Sequence, residues 1–163
     1  MAKTLRENAH LKAEGWSRWV KAMVPTEEPK KMAESQHYER RGTNQTDVMY
    51  TNINTVLSDE MAQCDIYEWR AVRQDGNQPK VVYVGSTCRE KPGSLRVRIL
   101  EYCENGSHKK DLIKEALERQ YELEVRVKTC GADTANAEKM ENELLNTHNY
   151  AWNVRNNAIR DIL

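Results

Sequence analysis

Tyr67 and Tyr83 are the first residues in this chain whose types and placement suggest chemistry. Tyr67 lies in a run of strand formers from Cys64 to Val72 that includes Ile66, Trp69 and Val72. Tyr83 lies in a second run, Lys80 to Thr87, with Val81, Val82, Tyr83 and Val84 at its centre. The two tyrosines are sixteen residues apart, and the polar stretch Arg73 to Lys80, with its turn residues Asp75, Gly76 and Asn77, separates the runs. This predicts a β-hairpin that presents two phenols close together. A phenol both donates and accepts hydrogen bonds and ionises near a pH of about 10. The pair carries chemistry only if other polar groups are brought to it, because two tyrosines in neighbouring strands are also ordinary core packing.

Other familiar carriers of chemistry are absent from the pattern. The cysteines, Cys64, Cys88, Cys103 and Cys130, form no Cys-x-x-Cys pair, and no histidine stands beside them at zinc-site spacing. They are expected to be reduced thiols, partly buried. The histidines, at positions 10, 37, 108 and 148, are scattered. With 25 basic and 25 acidic residues the chain is neutral, which argues against a general polyanion binder but leaves room for a local basic groove. Hydrophobic residues make up 39% and charged residues 31%, and no window approaches the roughly 20 apolar residues of a membrane span. The N-terminus lacks a signal-peptide core, so a cytoplasmic protein is expected (nuclear in a eukaryote). Phenylalanine is missing, so tryptophan, tyrosine and aliphatic residues must fill the core.

The elements that would position the hairpin follow from periodicity. Leu5, Ala9, Trp16, Trp19, Val20 and Met23 recur at spacings near three and four, predicting a helix from Leu5 to Met23 that Pro25 ends. A second helix is predicted from Pro29 to Arg41, closed by Gly42. Asp47 to Met61 fits a helix face or a short strand, with the balance towards helix. After the hairpin, Pro92-Gly93-Ser94 breaks the chain, and Leu95, Ile99 and Tyr102 mark a helix face. Leu112, Ile113, Ala116, Leu117 and Tyr121 mark another. Glu122 to Thr129 alternates, with Leu123, Val125 and Val127 on one side and charges on the other, as a half-buried strand does. Ala135 to Thr147 is the last long helix. The order is β, β, α, α, β, α, the pattern of a small α+β layer fold.

With these motifs, Cys64 to about Asn157 resembles the GIY-YIG nuclease domain. Asp65-Ile66-Tyr67 matches the first half of the family's name, with aspartate in the glycine position, and Tyr83-Val84-Gly85-Ser86-Thr87 matches the second. Arg98 and Tyr102, one helical turn apart and so on one face, match the family's arginine and the polar aromatic that follows it. Arg96 competes with Arg98, but only Arg98 has such an aromatic one turn on. Glu141, in Met140 to Leu145, matches the metal-binding glutamate. Glu138 and Glu143 compete with it, but Glu141 alone combines Leu144 and Leu145 at plus three and plus four with Asn153 at plus twelve. Trp152-Asn153-Val154 matches the closing element. Asp65 departs from the family pattern; its carboxylate would either sit harmlessly at the strand edge or alter what approaches the hairpin.

The resemblance implies two units. Residues 1–62 form an N-terminal helical extension for docking, dimerisation or DNA contact. Residues 63–163 form a nuclease domain with a small three-stranded antiparallel sheet flanked by helices. It implies a divalent-metal-dependent DNA endonuclease with Tyr67 as general base, Tyr83 positioning the water, Tyr102 hydrogen-bonding at the base or phosphate, and Arg98 stabilising charge on the phosphate. Glu141 would hold one Mg²⁺ (or Mn²⁺), while Gly85 and Asn153 would support the site. Lys30, Lys31, Arg40, Arg41, Arg89 and Lys91 are candidate DNA contacts, and a homodimer through the N-terminal helices would allow both strands to be cut. Site-specific cleavage of restriction or mobile-element type, or nicking, is the leading expectation. A structure-specific repair nuclease and a catalytically inactive nucleic-acid-binding module on the same fold are the alternatives.

Overall fold

The computed structural model describes residues 4–5, 15–25, 46–57, 64–73, 75, 78–88, 94–105, 109–130 and 134–153. In chain order their elements are β1 (Thr4–Leu5), β2 (Val20–Pro25), β3 (Thr46–Val48), α1 (Tyr50–Val56), β4 (Cys64–Val72), β5 (Lys80–Cys88), α2 (Ser94–Asn105), α3 (Lys110–Glu118), β6 (Glu122–Thr129), α4 (Thr134–Thr147) and β7 (His148–Asn149). β4 and β5 pair antiparallel as the predicted hairpin. From β4 to α4 the elements follow the order β, β, α, α, β, α. Three strands and a helix precede them, however, so that order does not describe the whole chain.

The expected three-stranded sheet is corrected to five strands in the order β3-β2-β6-β4-β5, every neighbouring pair antiparallel. β1 and β7 form a separate parallel pair. The additional strands come from the segment read as an N-terminal helical arm. The helix predicted over Leu5–Met23 is strand at Thr4–Leu5 and Val20–Pro25, and Gly15 adopts a left-handed φ of 80°. At the Val20–Met23 end the misleading signal has a structural cause. The register of β2 against β6 shifts between Lys21 and Met23, so Ala22, Met23 and Val24 are buried in succession. Such a bulge breaks the two-residue alternation of a strand and leaves spacings that imitate a helix. Pairing continues upstream, where Trp16 bridges Lys128 and the Ser17 amide donates to the Val127 carbonyl at 2.8 Å. Asp47 to Met61 holds both of its readings, a short strand end at Thr46–Val48 and the helix α1. The helix predicted over Pro29–Arg41 lies outside the described residues.

The central position of β4 and β6 sets their burial. Tyr67, Trp69 and Ala71 of β4, with Leu123, Val125 and Val127 of β6, belong to the main core, which α1, α2 and α3 close with Tyr50, Ile53, Ile99, Tyr102, Ile113 and Leu117. On the other face α4 packs on β4 and β5, joining Ala137 to Ile66 and Leu145 to Val84. The sheet thus has helices on both faces. β6 is therefore not the half-buried strand its alternation suggests. Arg126 is 2% exposed, bonded through Nε (2.9 Å) and Nη2 (2.6 Å) to the buried Glu68, and stacked between the rings of Trp16 and Trp19 at 4.5 and 4.7 Å. Tyr150 completes this polar group by donating to the other Glu68 oxygen at 2.6 Å. The tryptophans that made a helical stripe in the sequence cover a buried charge.

Candidate active site

In the β4–β5 ladder Tyr67 stands opposite Gly85 and Trp69 opposite Tyr83. Gly85 is required there by space. A Cβ at this position would lie 2.5 Å from the Tyr67 Oη and 2.6 Å from its Cζ. The missing side chain is the room in which the Tyr67 ring lies across β5.

Three phenols and one guanidinium meet at this point. Tyr67, Tyr83 and Tyr102 have ring centroids 5.8 to 6.4 Å apart in tilted and edge-on arrangements. Arg98 Nε donates to the Tyr67 Oη at 3.3 Å, Tyr67 and Tyr102 share a hydrogen bond of 3.1 Å, and the Tyr102 hydroxyl donates to Tyr83 at 3.3 Å. With Tyr102 donating to Tyr83, its oxygen is left to accept from Tyr67, so the donors run Arg98, Tyr67, Tyr102, Tyr83. Arg98 also lies over the Tyr102 ring at 5.0 Å and bonds Glu101 at 3.1 Å, one helical turn on. The helical spacing of Arg98 and Tyr102 puts both beside the hairpin, and Arg98, not Arg96, is bonded to Tyr67.

Burial governs the electrostatics. Tyr67 and Tyr102 are 1% exposed and Tyr83 is 8% exposed. Burial raises the Tyr67 pKa above its ordinary value of 10.0, while hydrogen bonds from Tyr102 and Arg98 and the Arg98 charge pull the other way. Tyr83 is pushed up to about 12, by burial first and by the neighbouring Tyr67 next. Tyr102 is raised further, by burial and by the two phenols flanking it, which keeps it a neutral donor. For Arg98, burial opposes the charge, but the hydrogen bond to Tyr67 and the surrounding phenols outweigh it, so its pKa is raised and it stays a cation.

Glu141 reaches the site from the other layer. Successive residues of a strand point to opposite faces, so next to Gly85 the Ser86 side chain turns towards α4, and its Oγ donates to Glu141 Oε2 at 2.5 Å. β5 is the edge strand, so a carboxylate on α4 lies at the rim of the sheet and its field extends to the other face, where it raises the pKa of both Tyr67 and Tyr83. Glu141 is half-buried, whereas Glu138 and Glu143 are exposed. The described residues contain no cluster of three or more histidine, cysteine or acidic side chains. Among the described residues Glu141 hydrogen-bonds through one of its two oxygens. A carboxylate whose other oxygen has no hydrogen bond among the described residues fits Mg²⁺, which keeps several waters and takes one or two protein carboxylates together with substrate phosphate.

Asn153 closes the structure from outside. Its side-chain amide accepts from the Val84 N–H and donates to the Val84 carbonyl, both at 3.0 Å, and the Trp152 amide donates to the Val82 carbonyl at 2.8 Å. The turn after β7 thereby satisfies the outer edge of β5 on both sides of Tyr83. Asp65 is not at a strand edge. It is buried in β4 between Thr87 and Thr129, 4% exposed.

The structure brings together Tyr67, Tyr83, Arg98 and Tyr102, sets Glu141 at the rim and Asn153 on the outer edge. Lys30, Lys31, Arg40, Arg41, Arg89 and Lys91 lie outside the described residues. Sequence reading gave Ser86 no role of its own. Ser86 had a usable signal, since it follows the glycine of a recognised motif and alternation turns it to the opposite face. Of the thiols, Cys103 and Cys130 are free, and burial pushes both up, as inert structural cysteines require.

A hairpin of tyrosines, a fixed cation and a rim carboxylate thus meet at the edge strand of an antiparallel sheet. A family model for GIY-YIG domain-containing proteins matches residues 56–162. The chain belongs to the GIY-YIG family, and so to the GIY-YIG nuclease superfamily. No curated protein and no solved structure matches the chain.

Proposed function

We propose that the protein is a divalent-metal-dependent endonuclease that hydrolyses DNA phosphodiester bonds. The observation that carries this reading is the hydrogen-bonded run Arg98, Tyr67, Tyr102 and Tyr83 on one face of β5, with Glu141 held by Ser86 at the rim of the same strand. A binding surface has no need of three buried phenols joined to a buried-side cation.

In the proposed reaction Tyr67 takes a proton from the attacking water. The resulting hydroxide forms a bond to phosphorus, and the bond from phosphorus to the 3′ oxygen breaks. Tyr67 suits this role because its oxygen accepts directly from Arg98, and because Tyr102 can turn its own hydrogen to a Tyr67 phenolate. An unperturbed tyrosine is about 4 kcal/mol from ionising at neutral pH, and burial adds to that cost, so positive charge must offset it. Arg98 supplies part within the chain. Mg²⁺ or Mn²⁺ held by the Glu141 carboxylate would supply Lewis-acid neutralisation of the leaving oxygen. Tyr83, the most exposed of the three phenols, orients the water. Arg98, fixed by Glu101, bears on the phosphate as its charge grows, a contribution typically on the order of 3 kcal/mol.

One site per chain cuts one strand, so a monomer nicks and a dimer cuts both. The test is incubation of supercoiled plasmid with the wild-type protein and with Glu141→Ala, with and without Mg²⁺. Metal-dependent conversion to nicked or linear DNA by the wild type alone is expected. No such conversion on plasmid, branched and flapped substrates would remove the enzyme reading. Mapping product ends separates site-specific from structure-specific cutting, and light scattering reports monomer or dimer.

A further inference from the structure

Lys109 is buried, 6% exposed, although lysine is among the residues least often buried. Its local placement is unfavourable. It occupies the N-cap position of α3, its side chain makes no capping hydrogen bond, and its charge stands at the positive end of the helix dipole. A residue that breaks local preference in this way is expected to be needed for a contact elsewhere.

The contacts lead to Tyr83. The Lys109 Nζ donates to the Trp152 carbonyl and lies 5.1 Å from the centre of the Tyr83 ring. Trp152 and Asn153 bind β5 at Val82 and Val84, the residues on either side of Tyr83. The lysine therefore touches the Tyr83 ring and also holds the turn that holds its backbone. A cavity borders the same ring, lined by Trp69, Tyr102, Ile113, Trp152 and Lys109. Lys109 thus lies on the cavity side of the ring, while Tyr67 and Tyr102 pack against the ring elsewhere.

We propose that Lys109 is a positioning residue for Tyr83: its buried ammonium fixes the phenol against the ring face and, through the Trp152 carbonyl, fixes the strand that carries it. This rests on the nuclease reading for its catalytic consequence, though not for its geometry. A small misplacement of a group that orients the attacking water costs roughly 10- to 100-fold in rate.

The experiment compares Lys109→Met, nearly isosteric, with Lys109→Arg, which keeps the charge. Plasmid-nicking kinetics are measured for each in the wild-type and Tyr83→Phe backgrounds. In parallel, ring resonances are recorded by NMR on protein labelled with ¹³C-tyrosine, with Tyr83 assigned by its loss in Tyr83→Phe. K109M is expected to lower kcat by roughly tenfold or more with KM for DNA unchanged, K109R to recover most of the rate, and K109M to add less than twofold loss once Tyr83 is already Phe. The Tyr83 resonance is expected to move in K109M. A wild-type rate in K109M, an equal loss in both backgrounds, or an unmoved Tyr83 resonance overturns the proposal. If the wild-type protein cleaves no DNA, the nuclease reading fails, and the resonance alone decides whether Lys109 positions Tyr83. If K109M does not fold, the wild-type protein decides through the nuclear Overhauser contact between the Lys109 ε-methylene and the Tyr83 ring, whose absence overturns the placement.

Discussion

Gly85→Ala is the sharpest probe of the site because the structure sets its size. The new methyl would lie 2.5 Å from the Tyr67 Oη, 2.6 Å from Cζ and 2.8 Å from Cε2, where ordinary contact begins at 3.4 Å, so something must move by about 0.9 Å. The Tyr67 ring has little freedom. It is 1% exposed and hemmed by Tyr83 and Tyr102. Gly85 is held as well, in a ladder with β4 next to the doubly bonded Val84. Forcing a methyl into a packed core costs about 1–3 kcal/mol, and each kcal/mol lowers the melting temperature of a chain of this length by about 2–4 °C. A shift near 1 Å also takes the Tyr67 oxygen out of reach of Arg98, now 3.3 Å away, and misplacement of that size costs about 100-fold in rate. Scanning calorimetry and plasmid-nicking kinetics on the same preparation are the assays. The expected result is a folded variant, melting a few degrees lower, with activity reduced far beyond its loss of stability. A variant with wild-type rate and melting temperature would refute both the close approach and the role of Tyr67.

Three further outcomes are expected. Arg98→Met removes a cation that lowers the Tyr67 pKa; with the phenolate as the active form in the proposed mechanism, the rising limb of the pH–rate profile should move to higher pH, with about a 100- to 1,000-fold loss at neutral pH. A loss of rate with an unmoved profile would separate Arg98 from the ionisation of Tyr67. Ser86→Ala deletes the hydrogen bond that holds Glu141 among the described residues and should raise the Mg²⁺ concentration for half-maximal nicking by about 10- to 100-fold, read from a metal titration in which saturating metal restores the rate. Arg126→Met removes the cation paired with a glutamate that has no exposed surface, leaving Tyr150 bonded to it, and should cost about 3–5 kcal/mol in urea unfolding; a cost below 1 kcal/mol would mean that the Trp16 and Trp19 cover, not the ion pair, stabilises that face.

The hairpin, the helix carrying Arg98 and Tyr102, and the helix carrying Glu141 were legible because each is a local pattern. Alternation marks a strand, four-residue spacing marks one helix face, and turn residues mark the breaks between them. The resemblance to a known family named the same residues, and the matched segment 56–162 contains all of them. The N-terminal strands were not legible. β2 carries a bulge that hides its period, and its reason for being a strand is the open edge of β6, which is about a hundred residues away in the chain.

The sequence by itself determined which groups are available: two tyrosines on paired strands, an arginine and a third tyrosine on one helical face, and a glutamate with an asparagine twelve residues later. The tertiary structure alone decided how they combine. It made β5 an edge strand, and this lets Glu141 approach from the layer opposite the phenols. It placed Gly85 across from Tyr67, turning a glycine of a motif into the space the ring occupies. It buried the phenols, so the pKa of Tyr67 rises, against what the proposed proton abstraction needs. It also set Ser86, Glu101, Lys109 and Asn153 around the site. The physical reason is that hydrogen-bond partners and local dielectric are properties of the packed chain, whereas residue type and spacing along a strand or helix are already present in the unfolded one.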